Sequence, residues 1–168
     1  MSDVPDSPKI AGKKPVFRHL DDPDMKWQQV KRLRNADGTE SAVWEKWLAF
    51  SPDPQYLTVY AKYDPGMMVH EHGHNGDHVV FVIEGSVRCG DRECPAGTHI
   101  ALDHGDTFGP FIAGPEGATL FEIMIGDPRS WTTEEGEARW AALLEEHGAT
   151  QAPNPQIALP DWLEDTRT

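Results

Sequence analysis

Stretches of four to ten residues rich in apolar, β-branched and aromatic side chains recur from Met25 to Ile125, each closed by Gly, Pro, Asn or Asp. They cover residues 25–34, 43–50, 56–63, 79–83, 86–89, 98–102, 108–112 and 118–125. Asn35-Ala36-Asp37-Gly38 is a hairpin signal between the first two, and Glu84-Gly85 reads as the turn that closes the fourth. No helical pattern separates these stretches, so nothing could carry the crossovers of a parallel sheet. Short strands at this cadence fold into an all-β sandwich or barrel. A chain of 168 residues suffices for one such domain with a real core.

One helix follows the strands. Thr132-Thr133-Glu134-Glu135 reads as a capping box, with Trp140, Leu143, Leu144 and His147 at helical spacing and Gly148 as the stop. Its apolar stripe must cover the outside or one end of the barrel. The expected organisation is a tail over residues 1–15, a barrel over 16–130, and a helix with a Pro-rich tail packed on it over 131–168. Ile157, Leu159, Trp162 and Leu163 are the expected anchors of that last segment.

A formal charge of −13 argues against nucleic acid and anionic membrane as partners, since both need clustered Lys and Arg. No apolar run is long enough to span a bilayer, and residues 1–15 lack a signal-peptide core, so a cytoplasmic protein is expected. Cys89 and Cys94 flank a Gly90-Asp91 turn that pairs Cys89 with Arg92, which leaves both thiols free.

The chemistry concentrates in HEHGHNGDH, residues 70–78, which holds four of the eight histidines. On an extended strand His70, His72 and His74 share a face, and Glu71 points to the other. A turn at Asn75-Gly76-Asp77 would return His78 at the start of the next strand. Two histidines one residue apart plus a third can close on one ion, and neutral imidazole suits zinc, iron, nickel or copper. His99 and His104 read as surface residues.

The spacing resembles the cupin superfamily, whose first motif is G, five residues, H-x-H, three or four residues, E, six residues, G. Gly66, His72, His74, His78 and Gly85 match every gap, with His78 at the family's Glu position. The second motif is matched by Gly97 and Gly105, while Asp103, Phe108 and Ile112 replace its Pro, His and Asn. The resemblance implies a double-stranded β-helix, the jelly-roll cupin barrel, with the C-terminal α-helix added to it. It implies one divalent transition metal per chain on His72, His74 and His78, with Fe(II) favoured and Zn, Ni, Mn or Cu as alternatives. His70 would be a neighbouring pocket residue or a fourth ligand.

Three neutral ligands leave the full charge of the ion in the site and open positions beside it, which suits an anionic chelate and O₂. The chain therefore reads as a non-heme Fe(II) dioxygenase acting on a small ketone-like, diketone-like or aromatic molecule. A metal- or ligand-sensing cupin of the anti-sigma or regulator type, or a metal-assisted isomerase or lyase, are the alternatives. Tyr60, Phe81, Phe108 and Phe121 are the expected substrate-pocket walls, and Tyr60, His70 and Asp106 are candidates for proton transfer. The aromatic strand over 43–50, with Trp44 and Trp47, suggests a homodimer.

Overall fold

The computed structural model describes residues 17–157. The expected tail over residues 1–15 and the anchors Leu159, Trp162 and Leu163 lie outside them. In chain order the elements are β1 (Gln28–Arg34), β2 (Glu40–Pro52), β3 (Gln55–Tyr63), β4 (Met68–Val69), β5 (Gly73–Cys89), β6 (Arg92–Pro95), β7 (His99–Leu102), β8 (Phe111–Trp131), α1 (Glu134–His147) and β9 (Thr150–Gln151). The strands pair antiparallel in the order β6-β5-β8-β3-β2-β1-β9, with β4 added on β8 and β7 on β5. The result is the jelly-roll β-barrel with a C-terminal helix.

Strand alternation decides what fills the barrel. Val59, Glu122 and Val80 are register partners on β3, β8 and β5, and all three are buried. One residue along, Tyr60, Phe121 and Phe81 form the neighbouring rung on the outer face, where Phe81 is 41% exposed. The inner face packs Leu57, Val59, Val82, Val87 and Leu120 into one cluster. Full burial of each such side chain contributes about 1.5–3 kcal/mol.

Two expected turns are not turns. Glu84-Gly85 lies inside β5, which runs unbroken for 17 residues with register shifts at Val82/Glu84 and Gly85/Val87. Gly85 sits at φ 67°, and a Cβ there would collide with the Gly117 carbonyl. Its freedom serves a bulge that bends the strand around the barrel. Likewise β8 joins what reads as two strands, running from Phe111 to Trp131.

The helix begins one residue later than the capping box suggests. Thr133 is the N-cap, its hydroxyl accepting from the Gly136 N–H at 2.9 Å. The Thr132 hydroxyl instead donates to the Glu71 carbonyl at 2.8 Å, tying the helix start to the strand entry beside His72. Gly148 ends the helix in the left-handed conformation, as expected. No described helix is long and apolar enough to cross a membrane.

Candidate metal centre and its cavity

The histidines are positioned by one strand and its approach. Asn75-Gly76-Asp77 does not turn: Asn75 pairs with Asp127 and Gly76 with Gly126, so β5 carries His74 and His78 together. A straight strand would hold positions four apart at roughly 13 Å. The His74 and His78 ring centroids are nevertheless 4.6 Å apart, and between His74 and Asn75 the ladder shifts register, leaving Pro128 and Arg129 of β8 without partners on β5. Gly76 lets β8 approach closely here, since the Ile125 carbonyl lies where a Cβ would go. His72 precedes the strand, fixed by a two-way backbone pair with Phe108 (3.1 and 3.0 Å), and its ring centroid is 5.1 Å from that of His74.

Hydrogen bonds set the ring tautomers. His72 Nδ1 donates to the His70 carbonyl and His74 Nδ1 to the Pro128 carbonyl, each at 2.8 Å. Both Nε2 atoms are thereby left as lone pairs, the arrangement by which backbone partners orient metal-binding imidazoles. His74 Nε2 and His78 Nδ1 are buried and have no hydrogen-bond partner among the described residues. Burial holds the His72 pKa well below the usual histidine range and pushes that of His74 down to about 4, with the neighbouring His78 adding to the latter. Both rings are neutral at physiological pH, as ligands must be.

Sequence reasoning missed Glu122. It sits on β8 at 5% exposure, with Oε2 3.0 Å from His78 Nε2. Its signal was present: a lone carboxylate in the apolar run ATLFEIMI, in phase with the buried Leu120 and Met124. A void of about 10 Å³ lies between His72, His78, Glu122 and Phe108, close to the room one small atom needs. The donor chemistry thus fits one divalent transition ion: neutral imidazoles, an adjacent carboxylate and orphaned buried nitrogens. The geometry is not closed in advance, since no three His, Cys, Asp or Glu side chains among the described residues already converge as a metal-binding group.

Phe108 is 9% exposed, with its ring against His72 (5.3 Å), His78 (5.2 Å) and Phe111 (4.7 Å). It walls the histidines as the sequence suggests. The other expected walls do not join it: Tyr60, Phe81 and Phe121 lie on the outer face, on the opposite strand phase from Val59, Val80 and Glu122. Tyr60 stacks on Trp27 at 5.9 Å, which removes it from proton-transfer work at the histidines. Asp106, His99 and His104 are exposed, with His104 paired to Asp77 at 2.8 Å. Glu71 turns away from the histidines, accepting from Thr107 and Arg139 at 2.9 Å each.

Beside the histidines opens a cavity of about 740 Å³, lined by Val30, Phe50, Leu57 and Met124 as well as by His70 and His74. His70 stacks near His72 at 5.4 Å and near Trp140 of the helix at 5.9 Å. Burial, helped by the Lys31 charge, pushes its pKa down to about 4. Trp47 faces this cavity, and Trp44 Nε1 donates to Asp64 at 3.2 Å, so neither offers the exposed area expected of them.

The model of the ChrR cupin-like domain matches residues 21–124. The chain belongs to that cupin family. No curated protein sequence matches it significantly. Among solved structures, an acetylacetone dioxygenase from Acinetobacter johnsonii is similar at TM-score 0.56 and 15% identity, covering 79% of this chain and 95% of that one. The polyketide cyclase RemF from Streptomyces resistomycificus is similar at TM-score 0.53 and 18% identity, over 74% and 93% of the two chains. An RmlC-like cupin from Shewanella frigidimarina is similar at 0.50 and 17%, over 67% and 93%. At these identities the likeness establishes the cupin fold and not an activity.

Proposed function

We propose that this cupin binds one divalent transition metal through His72, His74 and His78 and acts as an Fe(II)-dependent dioxygenase on a small ketone-like, diketone-like or aromatic molecule. The observation that carries the reading is the row of three closely packed imidazoles with buried, unpaired nitrogens, of which His74 lines a cavity large enough for an organic substrate. An acetylacetone dioxygenase is among the proteins with the same fold, which agrees with the substrate class. Iron in such a site supplies Lewis-acid polarisation of a substrate oxygen and the redox chemistry of O₂.

The protein's own residues prepare that chemistry. The His70 and Pro128 carbonyls fix the tautomers of His72 and His74, so each presents a lone pair inward. Glu122 holds His78 and places a carboxyl group beside the imidazoles. Phe108 excludes water from one side of them, and His70 stands at the cavity wall where it can meet a substrate oxygen.

The test is metal analysis and oxygen uptake. Protein purified without chelator should carry close to one ion per chain, and the Fe(II) form should consume O₂ with a β-diketone such as acetylacetone. Unchanged metal content in both His72→Ala and His74→Ala would overturn the ligand assignment. A stable zinc form, with an Fe(II) form that consumes no O₂ across a panel of diketones and aromatic ketones, would point to sensing.

A homodimer is part of the proposal, on a different face from the one expected. Phe81, Ile83 and Ile125 are 41%, 37% and 51% exposed on the outside of the barrel, an apolar surface a second copy would cover. Phe81→Lys should shift sedimentation from dimer to monomer; a wild-type monomer at tens of micromolar would end the idea.

A further inference from the structure

Lys31 is on the wrong side of its strand for a lysine. β1 carries a register shift between Gln29, paired with Trp44, and Lys31, paired with Val43. Past that bulge Lys31 falls in phase with the buried Leu33, and Val43 opposite it is 2% exposed. The bulge therefore turns an ammonium into the barrel, where it lines the large cavity together with His70 and His74.

Nothing among the described residues neutralises it directly: Lys31 has no carboxylate within ion-pair distance. The nearby carboxylates are engaged. Glu122 is held by His78 at 3.0 Å, and Glu45 accepts from Trp47 Nε1 at 2.8 Å. Arg129, the cavity's other cation, is bound bidentately to Asp127. Burial moves the Lys31 pKa down and that of Glu45 up to about 7, so desolvation bears on both, and the charge of Lys31 reaches His70, His72 and His74. A desolvated cation without a partner is costly, and an anionic ligand would relieve that cost.

We propose that Lys31 anchors the acidic group of the substrate, so that the molecule taken by this cavity is a carboxylate with an apolar body. The apolar part lies against Trp47, Phe50, Leu57 and Met124, and the acidic end against Lys31. This names the substrate class of the reading above, and rests on it only in placing the reacting end of the molecule at the histidines. Glu45 sets the selectivity: half-buried on the wall of the same cavity as Lys31, with its pKa pushed up to about 7 by burial and the Glu122 charge, it can donate a hydrogen bond to a carboxylate oxygen.

The probe is 1-naphthaleneacetate against its neutral counterpart 1-naphthaleneacetamide, titrated calorimetrically into protein as purified and into chelator-treated protein. The acid should bind about tenfold or more tightly than the amide in both preparations, the worth of one charge-assisted hydrogen bond. Lys31→Met should erase the preference, leaving amide affinity and metal content unchanged, and Lys31→Arg should restore part of it. Thermal midpoints would confirm that both variants are folded. Equal affinity for acid and amide, absence of binding by either, or a preference that survives Lys31→Met would overturn the anchor. A preference lost on chelation but kept in Lys31→Met would assign the carboxylate to the metal, sinking this proposal while supporting the ligand assignment. Loss of the preference in Lys31→Met in a protein that never held metal would do the reverse.

Discussion

Val82, Val87 and Cys94 sit at one end of the barrel interior, none more than 2% exposed. A few residues further along the same strands, the interior is His74, His78, Glu122 and Met124, opening onto a cavity that Lys31 and Glu45 also line. One end is filled with aliphatic side chains and the thiol of Cys94, which donates to the Arg92 carbonyl. The other holds imidazoles, carboxylates and an ammonium around a cavity of about 740 Å³, where polar groups taken out of water cost stability. The closed end supplies the folding energy that lets the other end remain polar and open.

Four changes would break or sharpen that contrast. Val87→Ala at the closed end should lower stability by about 2 kcal/mol, the usual cost of emptying a buried aliphatic site, with metal content unchanged. Denaturant unfolding checks the first and elemental analysis the second.

Glu45→Gln should change the pH dependence. The folded carboxyl keeps its proton up to about 7, against 4.5 for an ordinary one, because burial and the Glu122 charge disfavour its ionised form. Between those values the folded chain binds more protons than the unfolded, so stability falls as pH rises through that window and then levels. The glutamine variant should lack this slope, a difference on the order of 2 kcal/mol at pH 7.

Phe108→His places an imidazole against His72 and His78. With chelator present it should lose about 1–2 kcal/mol, since a polar ring replaces a packed apolar one. With zinc added it should melt higher than wild type under the same conditions and bind the ion more tightly. A loss of stability in both conditions would mean that Phe108 is packing alone.

His74→Ala should move metal-free stability least, by less than about 1 kcal/mol, while removing most bound metal. Losing the bond to the Pro128 carbonyl is offset by losing a buried nitrogen with no partner. A large destabilisation of the metal-free variant would make His74 a structural residue, and the two ends of the barrel would no longer differ in kind.

The cadence of turn residues was legible because each hairpin needs them, and so was the histidine row, which is contiguous in sequence. Strand phase was not. Glycine marks bulges as readily as turns, so Glu84-Gly85 and Asn75-Gly76-Asp77 read as chain reversals although β5 passes through both. Each bulge shifts which side chains face inward. That is how Lys31 comes to line the cavity, past the bulge in β1, whereas Tyr60, Phe81 and Phe121 lie outside by plain alternation, on the phase opposite to His78 and Glu122 in unbroken stretches of β3, β5 and β8. Glu122 comes from a strand 44 residues beyond His78, a distance over which local spacing carries no information.

The three imidazoles of the proposed site lie within seven consecutive residues, His72 to His78. An unfolded chain therefore keeps its chelating segment intact, with only short loops to close before the same donors reach an ion. A ligand that also binds the unfolded state stabilises the fold by the difference between the two affinities and not by the native one. Metal held this way would raise the melting temperature by less than its tightness implies. A partner donor from distant β8, as Glu122 would be, is what ties the ion to the folded form.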